Sequence, residues 1–433
     1  MHSILKYILC VAVAVSAGYL PGGAQQLSSE TSDDDADIRI NPEVDYRQAS
    51  DDEGKIEIPS FIKRDADTIR MNGADWIVLR HRLAHADSSR VSIVHIGDSH
   101  LQADMATSVV RRRLQSVYGD AGRGLVTPLK MAGTNEPRDY ALKGIDGVWV
   151  SSKLMKRPWA TRMGFTGVSA TPMSGKGVIE VSTLSRNDTP QLFDRIVLFH
   201  SAQPEIEPSV PFVADAVNGD SLMSVVTLPK PVSIIGLDIE LPAEEAVYGM
   251  SLEREIPGGL LYHVIGNNGA AYTSYNGIDG FGSGVALLEP SLIVVSLGAN
   301  EAFSRMTADE MYSSIGVMVR NLQMECPGAR ILLTTPMECQ RSTMVRRKGR
   351  RRRVRSYSVN PRVSAMREVI LRYGRDHGIP TYDFYEVAGG AGASAKWISD
   401  GMMARDRIHN SAKGYSVQGE LLYEALRKAF STE

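Results

Sequence analysis

The chain has 433 residues, 43% of them hydrophobic and 23% charged, with a formal net charge of −2. That length allows two or three domains with ample core. The near-neutral balance gives no global pull toward nucleic acid, so a nucleic-acid-binding protein is not the expectation.

Lys6 precedes an apolar run, Tyr7 to Leu20, and Gly22-Gly23-Ala24 follow as small residues. Residues 1–24 read as a cleaved secretory signal, too short and too rich in small residues to span a membrane well. Cys10 lies mid-run without the small residues expected before a lipidation cysteine. The remaining chain has no other long apolar segment, so an exported, soluble protein of the periplasm or cell envelope is expected, or one secreted outright. Residues 25–59 are polar and acidic, with Asp33-Asp34-Asp35 and Asp51-Asp52-Glu53, and read as a disordered linker.

A helix over about Ala74 to His85 leads into Val91 to Ile96, a buried strand ended by Gly97. Asp98, Ser99 and His100 follow, and then an amphipathic helix, Leu101 to Tyr118, apolar at Met105, Val109, Val110, Leu114 and Val117. Strand, tight turn, serine and helix can lift a hydroxyl to a helix N-terminus, where unpaired N–H groups favour negative charge. Ser99 there is either a nucleophile awaiting a base or a helix cap. Tyr118 to Pro128 reads as a Gly-rich turn, and without a following GK[ST] it is a poor phosphate loop.

From about Lys130 to Leu252 short alternating runs separated by Pro, Gly, Asn and Asp replace the helical period. They predict an all-β insert, most simply a sandwich. Beyond it, strands over Leu260 to Ile265, Leu292 to Leu297, Ile331 to Thr335 and Ile379 to Asp383 alternate with helices over Thr307 to Cys326, Pro361 to His377 and Ala412 to Phe430. Such alternation means a parallel sheet covered on both faces, with sites at the carboxyl ends of its strands. The predicted organisation is therefore an α/β domain in two parts, residues 60–129 and 253–433, interrupted by a β-sandwich over 130–252. A strand between Cys326 and Cys339 would hold them roughly 20 Å apart, against the about 7 Å that a disulfide spans between Cα atoms. Two separate cysteines are expected.

Serine chemistry needs a base, a group to orient it and donors for the oxyanion. Asp406 and His409 lie three apart in the loop before the last helix. The strand ends supply Gly-Asn turns, Gly266-Asn267-Asn268-Gly269 and Gly298-Ala299-Asn300. Gly269 permits close backbone approach, and Asn300 is a neutral side-chain donor. Tyr140, Trp149 and Trp159, near the start of the insert, are either sugar-stacking rings or core. Arg346, Arg347, Lys348, Arg350 to Arg353 and Arg355 crowd into ten positions after the fourth strand. They form either a solvated face or a dock for an anionic envelope polymer.

The order of G-D-S, a Gly/Asn turn, G-x-N and D-x-x-H resembles the SGNH (GDSL-like) hydrolases over residues 91–433. The resemblance implies a flavodoxin-like three-layer fold, Ser99 as nucleophile, His409 as base and Asp406 as its orienter. Ser99 N–H, Gly269 and Asn300 would form the oxyanion hole, and no metal or organic cofactor is implied. His100 stands where the name-giving motif has leucine and counts with Tyr140, Trp149 and Trp159 as a candidate substrate contact. G-D-S-H-L-Q-A-D, A-G-R-G-L and the β insert further resemble exported bacterial peptidoglycan O-acetylesterases with a carbohydrate-binding-like sandwich. That implies removal of O-acetyl groups from an acetylated polysaccharide. A lipase or thioesterase, and a non-catalytic polysaccharide-binding envelope protein, are the competing expectations.

Overall fold

A computed structural model describes residues 56–184, 191–208, 216–219, 222–242, 244–346 and 353–431. The expected signal segment, all but the end of the expected linker, and Arg347, Lys348 and Arg350 to Arg352 lie outside the described residues.

The strands of the α/β part are β1 (Ile69–Arg70), β2 (Arg90–Gly97), β3 (Gly259–Gly266), β4 (Leu292–Ser296), β5 (Arg330–Thr334), β6 (Gln340–Val345), β7 (Val354–Val359) and β8 (Thr381–Tyr382). Six form one sheet in the order β1-β8-β5-β4-β2-β3, parallel except for β1. Apart from Arg90 every residue of β2 is buried, as a parallel strand covered on both faces requires. Several polar side chains of the sheet bond one another. His95 bonds Tyr262 Oη (2.8 Å) and Ser296 Oγ (2.6 Å), and Ser296 bonds Thr334 (2.7 Å).

Helices cover the sheet: α1 (Ile77–Ala84), α2 (Ser99–Gln102), α3 (Met105–Tyr118), α4 (Tyr272–Asn276), α5 (Phe281–Ala286), α6 (Ala299–Phe303), α7 (Ala308–Glu325), α8 (Pro361–His377), α9 (Phe384–Val387), α10 (Ala393–Ser399) and α11 (Ala412–Ser431). Thr307 and Glu310 form a reciprocal capping box at α7. Pro361 opens α8, and Gly378 closes it in the left-handed region. Cys326 and Cys339 are both buried and free.

Among the described residues between α3 and β3 the chain builds two antiparallel sheets, one of seven strands and one of four. Strand Phe193–His200 explains their arrangement through its period of two. Ile196 and Leu198 face the smaller sheet, in a core with Leu142, Ile179, Val181 and Leu237. Val197 and Phe199 face the other way, in the main core with Phe165, Tyr262 and Ile265. The larger sheet is thus a sandwich layer and a lid on the α/β domain at once.

One expectation needs correction. Within the stretch read as a Gly-rich turn, Gly122–Val126 is a strand of the larger sheet, paired with Val247–Glu253. Its glycines lower strand propensity, but the approach demands one. At Gly122 φ is +125°, and a Cβ would lie 2.5 Å from the Leu252 carbonyl oxygen. Beside this strand Arg123 and Arg111 share the carboxylates of Asp104 and Asp139 at 2.6 to 2.9 Å. All four are buried. This quartet joins α3, which follows Ser99, to the insert.

Candidate active site

Ser99 begins α2 at the carboxyl end of β2. Asp98 makes the turn: its carboxylate accepts the His100 N–H (2.9 Å), and its carbonyl accepts the N–H groups of Leu101 and Gln102. The second element is the loop before α11. One oxygen of Asp406 accepts the N–H groups of Ile408 (2.9 Å) and His409 (3.0 Å), closing a tight turn with Arg407 in the left-handed region. Its other oxygen accepts from His409 Nδ1 (2.7 Å). A single side chain therefore both folds the loop and orients the imidazole. His409 Nε2 lies 2.8 Å from Ser99 Oγ. With the Nδ1 proton on the Asp406 side, Nε2 is left to accept the serine proton.

Electrostatics keep these roles apart. Burial would raise the Asp406 carboxyl, but the hydrogen bond and charge of His409, with the two N–H groups, hold it below its ordinary value. Asp98 is fully enclosed and burial pushes it up to about 6, against the His100 N–H and the charge of His409. Burial, aided by the charge of His409, pushes His100 down to about 3, so it is neutral at working pH.

The loop 266–270 packs across the start of α2. Asn267 N–H donates to the Gly97 carbonyl (3.3 Å), and Asn268 N–H to Gln102 Oε1 (2.7 Å). Gly269 holds φ +79°, where a side chain would be strained. Among the described residues neither the Ser99 nor the Gly269 N–H has a hydrogen-bond partner, so both donors are open. Asn300, at the start of α6, differs: its amide donates to the Ala270 carbonyl (2.9 Å) and, at 3.3 Å, to Asp98. It braces the loop, and to donate to an oxyanion it would have to release one of these bonds. Next to it Glu301 accepts the Tyr272 N–H (2.8 Å), and burial pushes its carboxyl up to about 7.

The structure thus brings Ser99, Asp406, His409, Gly269 and Asn300 together and removes one ring from the substrate contacts. Tyr140 is only 2% exposed; Arg123 covers its face at 4.9 Å, and its hydroxyl bonds the Thr127 carbonyl (3.2 Å), so no face is left for a sugar. Trp149 is half-buried over Gly144 and Gly177 of the insert and donates to the Asp146 carbonyl (2.9 Å). Trp159 is half-buried with Arg157 over its ring at 4.1 Å. His100 packs on His409, ring centroids 5.0 Å apart.

Sequence reasoning missed the polar rim on the insert side. Gln102 Nε2 donates to Thr134 Oγ1 and to the Asn135 carbonyl (2.8 Å each), and Asn268 Nδ2 to Asn135 Oδ1 (2.9 Å). Met155 of the insert lies beside Gly269, its Cγ 3.6 Å from where a Cβ would stand. The only sequence signal was Gln102, three residues after Ser99. Among the described residues no cluster of three or more His, Cys, Asp or Glu is placed to hold a metal ion.

The parallel sheet, the strand-end serine and the Asp406–His409 loop give this chain the layout of an SGNH hydrolase. Residues 219–417 match the GDSL-like Lipase/Acylhydrolase family, a span that starts inside the insert and does not include Ser99. The structure of a peptidoglycan O-acetylesterase aligns with a TM-score of 0.67 at 23% identity, covering 83% of this chain and 97% of that one. A lipase/acylhydrolase from Enterococcus faecalis aligns at 20% identity over 39% of this chain and 77% of its own, TM-score 0.29. An acetyl xylan esterase aligns at 14% identity over 39% and 81%, TM-score 0.30. No curated protein matches in sequence. Among the described residues no helix is long and apolar enough to cross a membrane.

Proposed function

We propose that the protein is an exported serine esterase that removes O-acetyl groups from peptidoglycan or a similar envelope polysaccharide. The observation that carries this reading is the line Ser99 Oγ, His409 Nε2, His409 Nδ1, Asp406 Oδ2, with contacts of 2.8 and 2.7 Å, together with two open backbone donors. The fold shared with a peptidoglycan O-acetylesterase, insert included, supports the substrate class. The apolar run after Lys6 supports export.

Ser99 Oγ attacks the acetyl carbonyl carbon as its proton passes to His409 Nε2. Asp406 stabilises the imidazolium and keeps the ring in place. Negative charge develops on the carbonyl oxygen, facing the N–H groups of Ser99 and Gly269, with Asn300 as third donor. Collapse breaks the bond to the sugar oxygen, which takes the proton from His409 and leaves acetyl-Ser99. A water deprotonated by His409 then attacks this ester, releasing acetate and restoring the serine.

The test is acetate release from O-acetylated peptidoglycan, run beside a short-to-long series of acyl esters. Turnover of the polymer with preference for acetyl supports the reading. Preference for long chains moves the protein to the lipases and thioesterases. Polysaccharide binding with no turnover of any ester makes it a binding protein.

A further inference from the structure

A cationic arm is rooted beside the Asp406–His409 loop. Among the described residues β6 and β7 pair only with each other, in a ribbon that leaves the sheet shortly after β5. The root of the ribbon is fixed on two sides. Gln340 N–H donates to the Arg407 carbonyl (2.9 Å), and Arg407 Nη1 returns a bond to Gln340 Oε1 (3.0 Å). The Tyr357 hydroxyl donates to the Arg405 carbonyl (3.3 Å), and the Arg407 guanidinium lies 4.1 Å over its ring. On the other side Asn360, just after β7, donates to the Ala302 carbonyl (3.0 Å) in the helix that carries Asn300. The arm is therefore anchored to the Asp406–His409 loop and to the Asn300 helix together.

The described residues of this ribbon, 340–346 and 353–359, contain four arginines and no carboxylate, in a chain of net charge −2. Arg341, Arg346, Arg353 and Arg355 are exposed, and among the described residues no carboxylate pairs with them. The pairs Ser342–Tyr357 and Met344–Arg355 share one face of the ribbon. Arg407 over Tyr357 and then Arg355 make a cationic path, with side chains along the strand about 7 Å apart. Arg353 and Arg346 follow just past the last pair, Val345–Val354. A surface serving only solubility intersperses both signs. A single-signed run anchored beside a reactive group attracts and orients an anionic chain, and guanidinium matches carboxylate in a two-pronged bond.

We propose that this arm docks the carboxylate-bearing substituents of the acetylated polymer, placing a neighbouring acetyl ester over Ser99. The inference rests on the deacetylase reading of Ser99. Its test combines Arg341→Gln, Arg346→Gln, Arg353→Gln and Arg355→Gln in one chain and compares that chain with the unaltered protein. The expected result is a KM for O-acetylated peptidoglycan raised about tenfold with kcat little changed, and unaltered turnover of a small neutral acetyl ester, which also certifies folding. Amidating the polymer carboxylates should abolish the difference. Equal KM for the two proteins, or a difference that survives amidation, would overturn the proposal. Co-sedimentation with peptidoglycan stripped of its acetyl groups separates the two readings, because it needs no turnover. Loss of sedimentation in the variant supports the arm even where no acetate is released. Tighter binding to phosphatidylglycerol vesicles than to the polymer would assign the arm to a lipid surface and overturn the docking proposed here.

Discussion

His100 and His409 lie ring against ring, centroids 5.0 Å apart, with Tyr415 Oη 3.2 Å from His100 Nδ1. Only one of two imidazoles this close can carry a proton cheaply, and burial keeps His100 neutral. It serves as a wall that fixes His409 without competing for the serine proton. His100→Ala should lower kcat about tenfold through misplacement of His409, with KM for a small ester little changed. His100→Phe, which keeps a ring there, should recover most of the loss. Full activity in His100→Ala would remove the positioning role.

The buried quartet predicts a stability effect. Arg123→Met leaves Asp104 and Asp139 sharing one guanidinium, and removal of one partner from such a network costs about 3–5 kcal/mol. Arg113, 36% exposed in its pair with Glu420, is the comparison: Arg113→Met should cost under about 1 kcal/mol. Urea denaturation of the two variants reads the difference directly.

Glu301 predicts a pH dependence. Its carboxyl is raised to about 7 by burial, against the Tyr272 N–H. Between its ordinary value and 7 the native state holds a proton that the unfolded chain has lost. Stability therefore falls as pH rises through that window, by at most about 3 kcal/mol. Glu301→Gln keeps an acceptor for Tyr272 N–H and cannot ionise, so unfolding midpoints at about pH 5 and about pH 8 should move closer together. Asp98, raised to about 6, leaves part of the slope in the acidic half. An unchanged slope in Glu301→Gln would show that Glu301 is already ionised in the native protein.

Much of this site was legible because its chemistry is local in sequence. Asp406 and His409 share one turn, so their spacing alone suggested that the carboxylate reaches the imidazole. Ser99, Gly269 and Asn300 each follow a strand whose apolar run announces where the sheet ends. What could not be read depends on contacts distant in sequence. Tyr140 is removed from the sugar contacts by Arg123, seventeen residues earlier. Gln102 is an ordinary polar helix residue until Asn268 and Thr134 close on it from 166 and 32 residues away. Gly122–Val126 is a strand only because Val247–Glu253 supplies its partner. The ribbon β6–β7 was hidden by arginines that suit a loop equally well. Its anchors at Arg407 and Ala302 appear only in the fold.

The most direct measurement is to quench the enzyme in acid during turnover of an O-acetylated substrate and locate the acetyl group by peptide mass. The account predicts acetyl on Ser99, none in Ser99→Ala, and turnover in Asp406→Asn slowed roughly 10³–10⁴-fold with the fold intact. An acetyl group on a different residue, or undiminished acetate release by Ser99→Ala, would contradict it.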